Sequence, residues 1–181
     1  MSRVPLINPA QASGERKVLL DRIQQTFGAT PAMFRAVANS PAALTSMFGS
    51  FGALGQGSLP ARLGEQLAVA IANRNSCEYC LAAHTALARK AGVTPEEISA
   101  AQEGHSNDPR TAAALAFALK LVEGRGQMDD ADVGALRAAG YDDEAIVEII
   151  AHVALNLFTN YVNVALNVPV DFPAVKLRKV A

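Results

Sequence analysis

Apolar positions recur three and four residues apart through most of the chain. That spacing gathers them on one side of a helix, whereas a half-buried strand alternates every second residue. No stretch keeps two-residue alternation between turn signals, so no sheet is expected. Val18, Leu19, Ile23 and Phe27 mark a first helix from about Gly14 to Phe27, with Ser13 as its cap and Gly28 as its stop. Thr30-Pro31 and Ser40-Pro41 each set a capping residue before a proline and open a second and a third helix. The third carries Leu44, Met47, Phe48, Phe51 and Leu54 on its apolar face, and Gly55-Gln56-Gly57 breaks it. A fourth is expected from Pro60 to Asn73, then a turn through Ser76 into a fifth that Gly92 ends. Thr94-Pro95-Glu96-Glu97 reads as a capping box opening a short helix to about Glu103. Helices over Pro109 to Glu123, Asp129 to Ala139 and, capped by Asp142, about Asp143 to Ala165 complete an all-α set of about eight or nine. Residues 1–12 hold two prolines and little periodicity and read as an arm; residues 13–181 read as one helical domain with an irregular tail after Pro169. One local echo stands out: Arg89–Ile98 and Arg137–Ile146 share a helix end, a glycine, a capped restart and an apolar face.

Composition narrows the partners. Half of the 181 residues are apolar and the formal net charge is −1, which argues against nucleic acid or an anionic membrane as partner. The one basic group, Lys176, Arg178 and Lys179, reads as a solvated terminus. No apolar run is long and uninterrupted enough to span a bilayer, and Met1-Ser2-Arg3-Val4-Pro5 lacks the apolar core of a signal peptide. A cytoplasmic location is the expectation. In that reducing compartment a Cys-x-x-Cys pair is more often catalytic or metal-binding than a structural staple.

The chemistry concentrates between Glu65 and His84. Cys77 and Cys80 are the only cysteines, His84 follows four residues after Cys80, and Glu65 lies twelve before Cys77 in an apolar segment. If Ser76 caps the fifth helix, both cysteines fall in its first turn, where the helix dipole favours a thiolate. Positions three, four and seven apart share a face, so Cys77, Cys80 and His84 point the same way. A fourth helix folded back on the fifth brings Glu65 to them. Dithiol, imidazole and carboxylate in one apolar pocket suit thiol redox chemistry with a proton relay. Two other readings stay open: small buried cysteines that only pack, and a zinc site. Structural zinc prefers four Cys or His ligands, and His105 and His152 are distant in sequence. Tyr79, between the cysteines, reads as a cover or a hydrogen-bond donor. His152, Asn156, Asn160, Asn163 and Asn167 form a polar stripe along the last helix. It either satisfies helix ends or a subunit contact, or lines the pocket through Asn156 or Asn160.

Glu65-x11-Cys77-x-x-Cys80-x3-His84, with Ala-rich helix on both sides and Arg89-Lys-Ala-Gly-Val-Thr-Pro-Glu-Glu-Ile98 following, resembles the alkylhydroperoxidase AhpD and carboxymuconolactone decarboxylase family. The likeness is to its small peroxidase-related members; it is strong over about Leu59 to Ile98, and the end of the chain, Asn156 to Pro173, resembles theirs too. The resemblance implies a compact AhpD-like helical bundle and a homo-oligomer, trimer or hexamer. It implies a thiol-dependent peroxidase in which Cys80 attacks the hydroperoxide, Cys77 closes a disulfide, and Glu65 and His84 move protons. No haem, flavin or metal is expected, and an external thiol or dithiol must supply electrons. Founding peroxidases of the family often carry a histidine where Tyr79 stands, so that part of their relay is not reproduced. Lactone decarboxylation, which shares the fold without needing the cysteine pair, and a non-enzymatic redox or zinc-binding module are the alternatives.

Overall fold

A computed structural model describes residues 1–179, and among these residues there are nine helices and no strand. They are α1 (Gly14–Phe27), α2 (Ala32–Val37), α3 (Pro41–Leu54), α4 (Ala61–Arg74), α5 (Glu78–Lys90), α6 (Pro95–Gln102), α7 (Pro109–Glu123), α8 (Asp130–Ala138) and α9 (Asp143–Leu166). The all-α expectation holds, and most helix ends fall where the punctuation puts them. Ser40 accepts the Ala43 N–H, Asp142 accepts that of Ala145, and Thr94 with Glu97 closes a reciprocal capping box. Asp129 and Asp132 form a second such box.

Three local expectations fail, each for a visible reason. Ser13 precedes α1 but its side chain makes no capping bond. Thr30 does not cap α2: its hydroxyl pairs with Gln24 Oε1, and Pro31 takes the cap position. Ser76 does not cap α5, because the end of α4 uses it. Ser76 sits in the left-handed region at φ 54°, its N–H reaches Asn73 O at 3.1 Å, and the Cys77 N–H reaches Ala72 O at 2.9 Å. That pair of bonds is a Schellman closure, so Cys77 becomes the cap of α5. The two echoing segments use the same closure. Gly92 and Gly140 are left-handed, and the Val93 and Tyr141 N–H groups reach back to Ala88 O and Leu136 O before Thr94 and Asp142 restart the chain.

α4 is the hub, packed against α5, α6, α7 and α9, and every residue from Gln66 to Asn73 is buried. Ala68, Ala70 and Ala72 keep its girth small enough for helices on several sides. α9 is long and apolar enough to meet the length and composition test for a membrane span, contrary to the sequence expectation. Here it is a core helix against α3, α4 and α7. Its inward face carries buried Asn156, Asn160 and Asn163, groups that a lipid-facing surface would leave unsatisfied.

The chain ends clasp this core. The Arg3 N–H bonds Leu166 O at 2.7 Å, and the Ile7 N–H bonds Arg35 O. In the tail, Asp171 accepts the Ala32 N–H at 2.6 Å. Arg178 is exposed, as a solvated terminus would be, but it is also tied to the bundle. Its N–H donates to Asn73 Oδ1, and its guanidinium reaches Ser99 and Glu103. Lys176 and Lys179 remain exposed.

Candidate active site

The Schellman turn folds α5 back along α4 and sets Glu65 opposite His84. Their contact is 2.8 Å, from His84 Nδ1 to Glu65 Oε2. A carboxylate can only accept, so Nδ1 is the donor and Nε2 is left for the site. Burial pushes the imidazole pKa down, but the charge and hydrogen bond of Glu65, together with Cys80, outweigh it. The His84 pKa is therefore raised above the ordinary histidine value.

The two sulfurs lie together, both reduced and both buried. Cys77 Sγ accepts the Cys80 N–H at 3.3 Å as the helix cap. Cys80 Sγ accepts from Asn163 Nδ2 at 3.2 Å. The sulfurs are not equivalent. A hydrogen bond from Cys77 pulls the Cys80 pKa down; burial opposes this, and His84, Asn163 and Asn160 add to the lowering, leaving Cys80 at about 7. Cys77 moves the other way, raised by that same bond, by burial and by the charge of Cys80. The geometry thus favours thiolate at Cys80 and thiol at Cys77.

Cys80, Ala83, His84 and Leu87 form one side of an apolar cavity of about 170 Å³, faced by Phe34 and Phe51. Tyr79 closes one wall as a cover. Its ring meets Phe172 edge to face at 5.6 Å, and its hydroxyl accepts the Met33 N–H at 3.2 Å. Burial raises its pKa, so it stays a neutral phenol. A second cavity of about 200 Å³ is lined by Glu65, His84, His152 and Asn156. His152 is therefore near the site in space, although remote in sequence, and burial lowers its pKa against the pull of Glu148 and Glu65. Among the described residues no three His, Cys, Asp or Glu side chains group as a metal site.

Of the four residues singled out in the sequence, Glu65, Cys80 and His84 meet around these two cavities, whereas Cys77, expected on the same face, is the cap of α5, borders neither cavity and joins the group through the Cys80 N–H. The amide stripe of α9 lies against them: Asn156 borders the second cavity with Glu65 and His84 as expected, Asn160 helps to lower the Cys80 pKa, and Asn163, which the sequence did not single out, makes the direct bond to Cys80. Asn163 bonds Cys80, while Asn160 accepts from Asn75 at 2.9 Å and Asn156 donates to His152 O. Asn167 is the left-handed cap of α9 and donates to Met1 O. Among the described residues five buried side-chain polar atoms lack a partner, and Asn156, Asn160 and Asn163 supply three of them. Each such atom costs about 1–3 kcal/mol.

Known structures share this architecture. The crystal structure described as the alkylhydroperoxidase AhpD core, an uncharacterized peroxidase-related protein from Ralstonia eutropha JMP134, superposes with TM-score 0.85 at 27% identity, over 94% of this chain and 92% of that one. An uncharacterized peroxidase-related protein from Silicibacter sp. TM1040 gives 0.81 at 25% identity, over 93% and 91%. The debrominase Bmp8, in its C82A form with 2,3,4-tribromopyrrole, shares the fold at TM-score 0.78 and 23% identity, over 94% of each chain. The bundle is thus of the AhpD-like class. Residues 41–124, which hold α3 to α7 and all four site residues, match the carboxymuconolactone decarboxylase family. No curated protein sequence matches it.

Proposed function

We propose that this chain is a thiol-dependent peroxidase that reduces hydroperoxides to alcohols. One observation carries the reading: a sulfur that favours its thiolate, Cys80, opens on an apolar cavity beside an imidazole held by a carboxylate. The Cys80 thiolate attacks the terminal oxygen of ROOH, the O–O bond breaks, and Cys80 becomes a sulfenic acid. The departing alkoxide takes a proton from the His84 imidazolium, which Glu65 stabilises, and leaves as ROH. Cys77 then attacks the sulfenic sulfur; its proton and the hydroxyl leave as water, and a disulfide closes. An external thiol or dithiol restores the pair, so the cycle uses no haem, flavin or metal. Lactone decarboxylation needs no thiolate and leaves the Cys80 environment without a purpose, so it is the less favoured reading.

A cytoplasmic setting, where thiol reductants abound, and a homo-oligomer, trimer or hexamer, go with this proposal. The test is a titration of free thiols before and after one equivalent of cumene hydroperoxide, beside a metal assay of the purified protein. Two thiols should disappear per molecule as one alcohol forms. Retention of both thiols, or stoichiometric zinc on them, would remove the peroxidase reading.

A further inference from the structure

The two cysteines border different openings. Cys80 lines the apolar cavity with His84, and Cys77 does not. Cys77 instead borders a separate cleft between the start of α5 and the end of α9, with Glu78, Asn163, Val164, Asn167 and Val168; Cys80 does not line it. Tyr79 is the partition, since its residue borders both. We infer that the enzyme loads its two substrates from separate mouths: the hydroperoxide meets Cys80 in the apolar cavity, and a small-molecule thiol meets Cys77 in the α5–α9 cleft.

Two further arguments identify the occupant and the sulfur it attacks. The cleft holds about 170 Å³, below the roughly 300 Å³ of pockets for drug-sized ligands. Cys77 is wholly buried just beneath it, so the attacking thiol reaches the sulfur by a small parting of the residues that line the cleft. A slim thiol fits that space, whereas a cysteine on the surface of a folded protein would be held away from the sulfur. Exchange also runs fastest when the departing sulfur is the better thiolate, and Cys80 is the sulfur that Asn163 and His84 support as an anion. The reducing thiolate R′S⁻ therefore forms a bond to Cys77 Sγ as the Cys77–Cys80 bond breaks and Cys80 leaves as thiolate. A second R′S⁻ attacks the R′ sulfur of the mixed disulfide, R′S–SR′ departs, and Cys77 leaves as a thiolate that takes up one proton. Two electrons pass from the thiols to the protein disulfide.

This inference rests on the peroxidase reading, and the experiment separates the two. The disulfide is formed with diamide, which needs no hydroperoxide chemistry, and then treated with one equivalent of 2-mercaptoethanol under rapid acid quench. Peptide mass mapping should place the adduct on Cys77, with Cys80 free. An adduct on Cys80, or equally on both, would overturn the inference while leaving hydroperoxide turnover intact. Val164 is 49% exposed at the rim of the cleft, so Val164→Trp should fold normally and obstruct the entrance. It should lower the ratio of reductive to oxidative half-reaction rates about tenfold. An unchanged ratio would count against separate mouths, and absent oxidation by cumene hydroperoxide in the wild-type protein would instead remove the peroxidase reading itself.

Discussion

At the scale of single residues, the asymmetry between two neighbouring sulfurs sets the order of events. Cys80→Ser should abolish hydroperoxide turnover. Cys77→Ser should stop at a sulfenic acid on Cys80 that dimedone traps, and equal residual activity in both variants would contradict the assigned roles. The pH dependence follows from the direction of the shift. Cys80 is depressed to about 7, so its thiolate is present above that pH and is lost as pH falls through it. The rate of single-turnover oxidation should therefore rise through an apparent pKa near 7. Asn163→Ala removes a donor that the thiolate uses and leaves the thiol largely unaffected. The acid limb should move to higher pH, with the rate at pH 7 lowered several-fold, as stopped-flow measurement of thiol loss would show. Cys80 and His84 are legible in the sequence as neighbours because helical spacing alone places them on one face. Asn163 is not, since nothing local tells which amide of a regular stripe will face a sulfur on another helix.

The turn between α4 and α5 is the element that sets this geometry, and it also shows the limit of local punctuation. Ser76 has the composition of an N-cap, yet the closure of α4 places it at φ 54°, and the capping role passes to Cys77. Two helices joined by so short a turn compete for the same residues, and a one-helix rule cannot see the competition. The same physics explains why Gly92 and Gly140 are legible: there glycine, a cap and an apolar residue agree on one closure. A left-handed backbone costs an L-residue about 1–2 kcal/mol, and a β-branched side chain tolerates it worst. Ser76 already bears that cost, so Ser76→Val should lower stability in urea denaturation by the further strain of its β-branch alone, and slow disulfide closure, because the turn positions Cys77. Ser76→Gly should retain both properties. A fully stable Ser76→Val protein would mean that the turn does not hold this conformation in solution.

For the molecule as a whole, α9 carries apolar side chains outward as well as into the core. Its inward face carries the amides that meet the sulfurs. Val147, Ile150 and Tyr161 line the opposite face and are 64%, 40% and 62% exposed. A surface helix ordinarily turns its apolar stripe to the core, so an outward apolar stripe on the longest helix is the face on which the proposed homo-oligomer would pack. This is the physical support for the homo-oligomer expected from the family resemblance. Light scattering should return a multiple of the 19.0 kDa chain mass, and Val147→Glu should shift it toward the monomer by burying an unpaired charge in the contact. Because this face points away from Cys80, the monomeric variant should still lose both thiols to one equivalent of hydroperoxide. A wild-type chain that scatters as a monomer at high concentration would rule out the contact. A Val147→Glu variant that dissociates and also loses thiol reactivity would show that the sulfur site is completed only in the assembly.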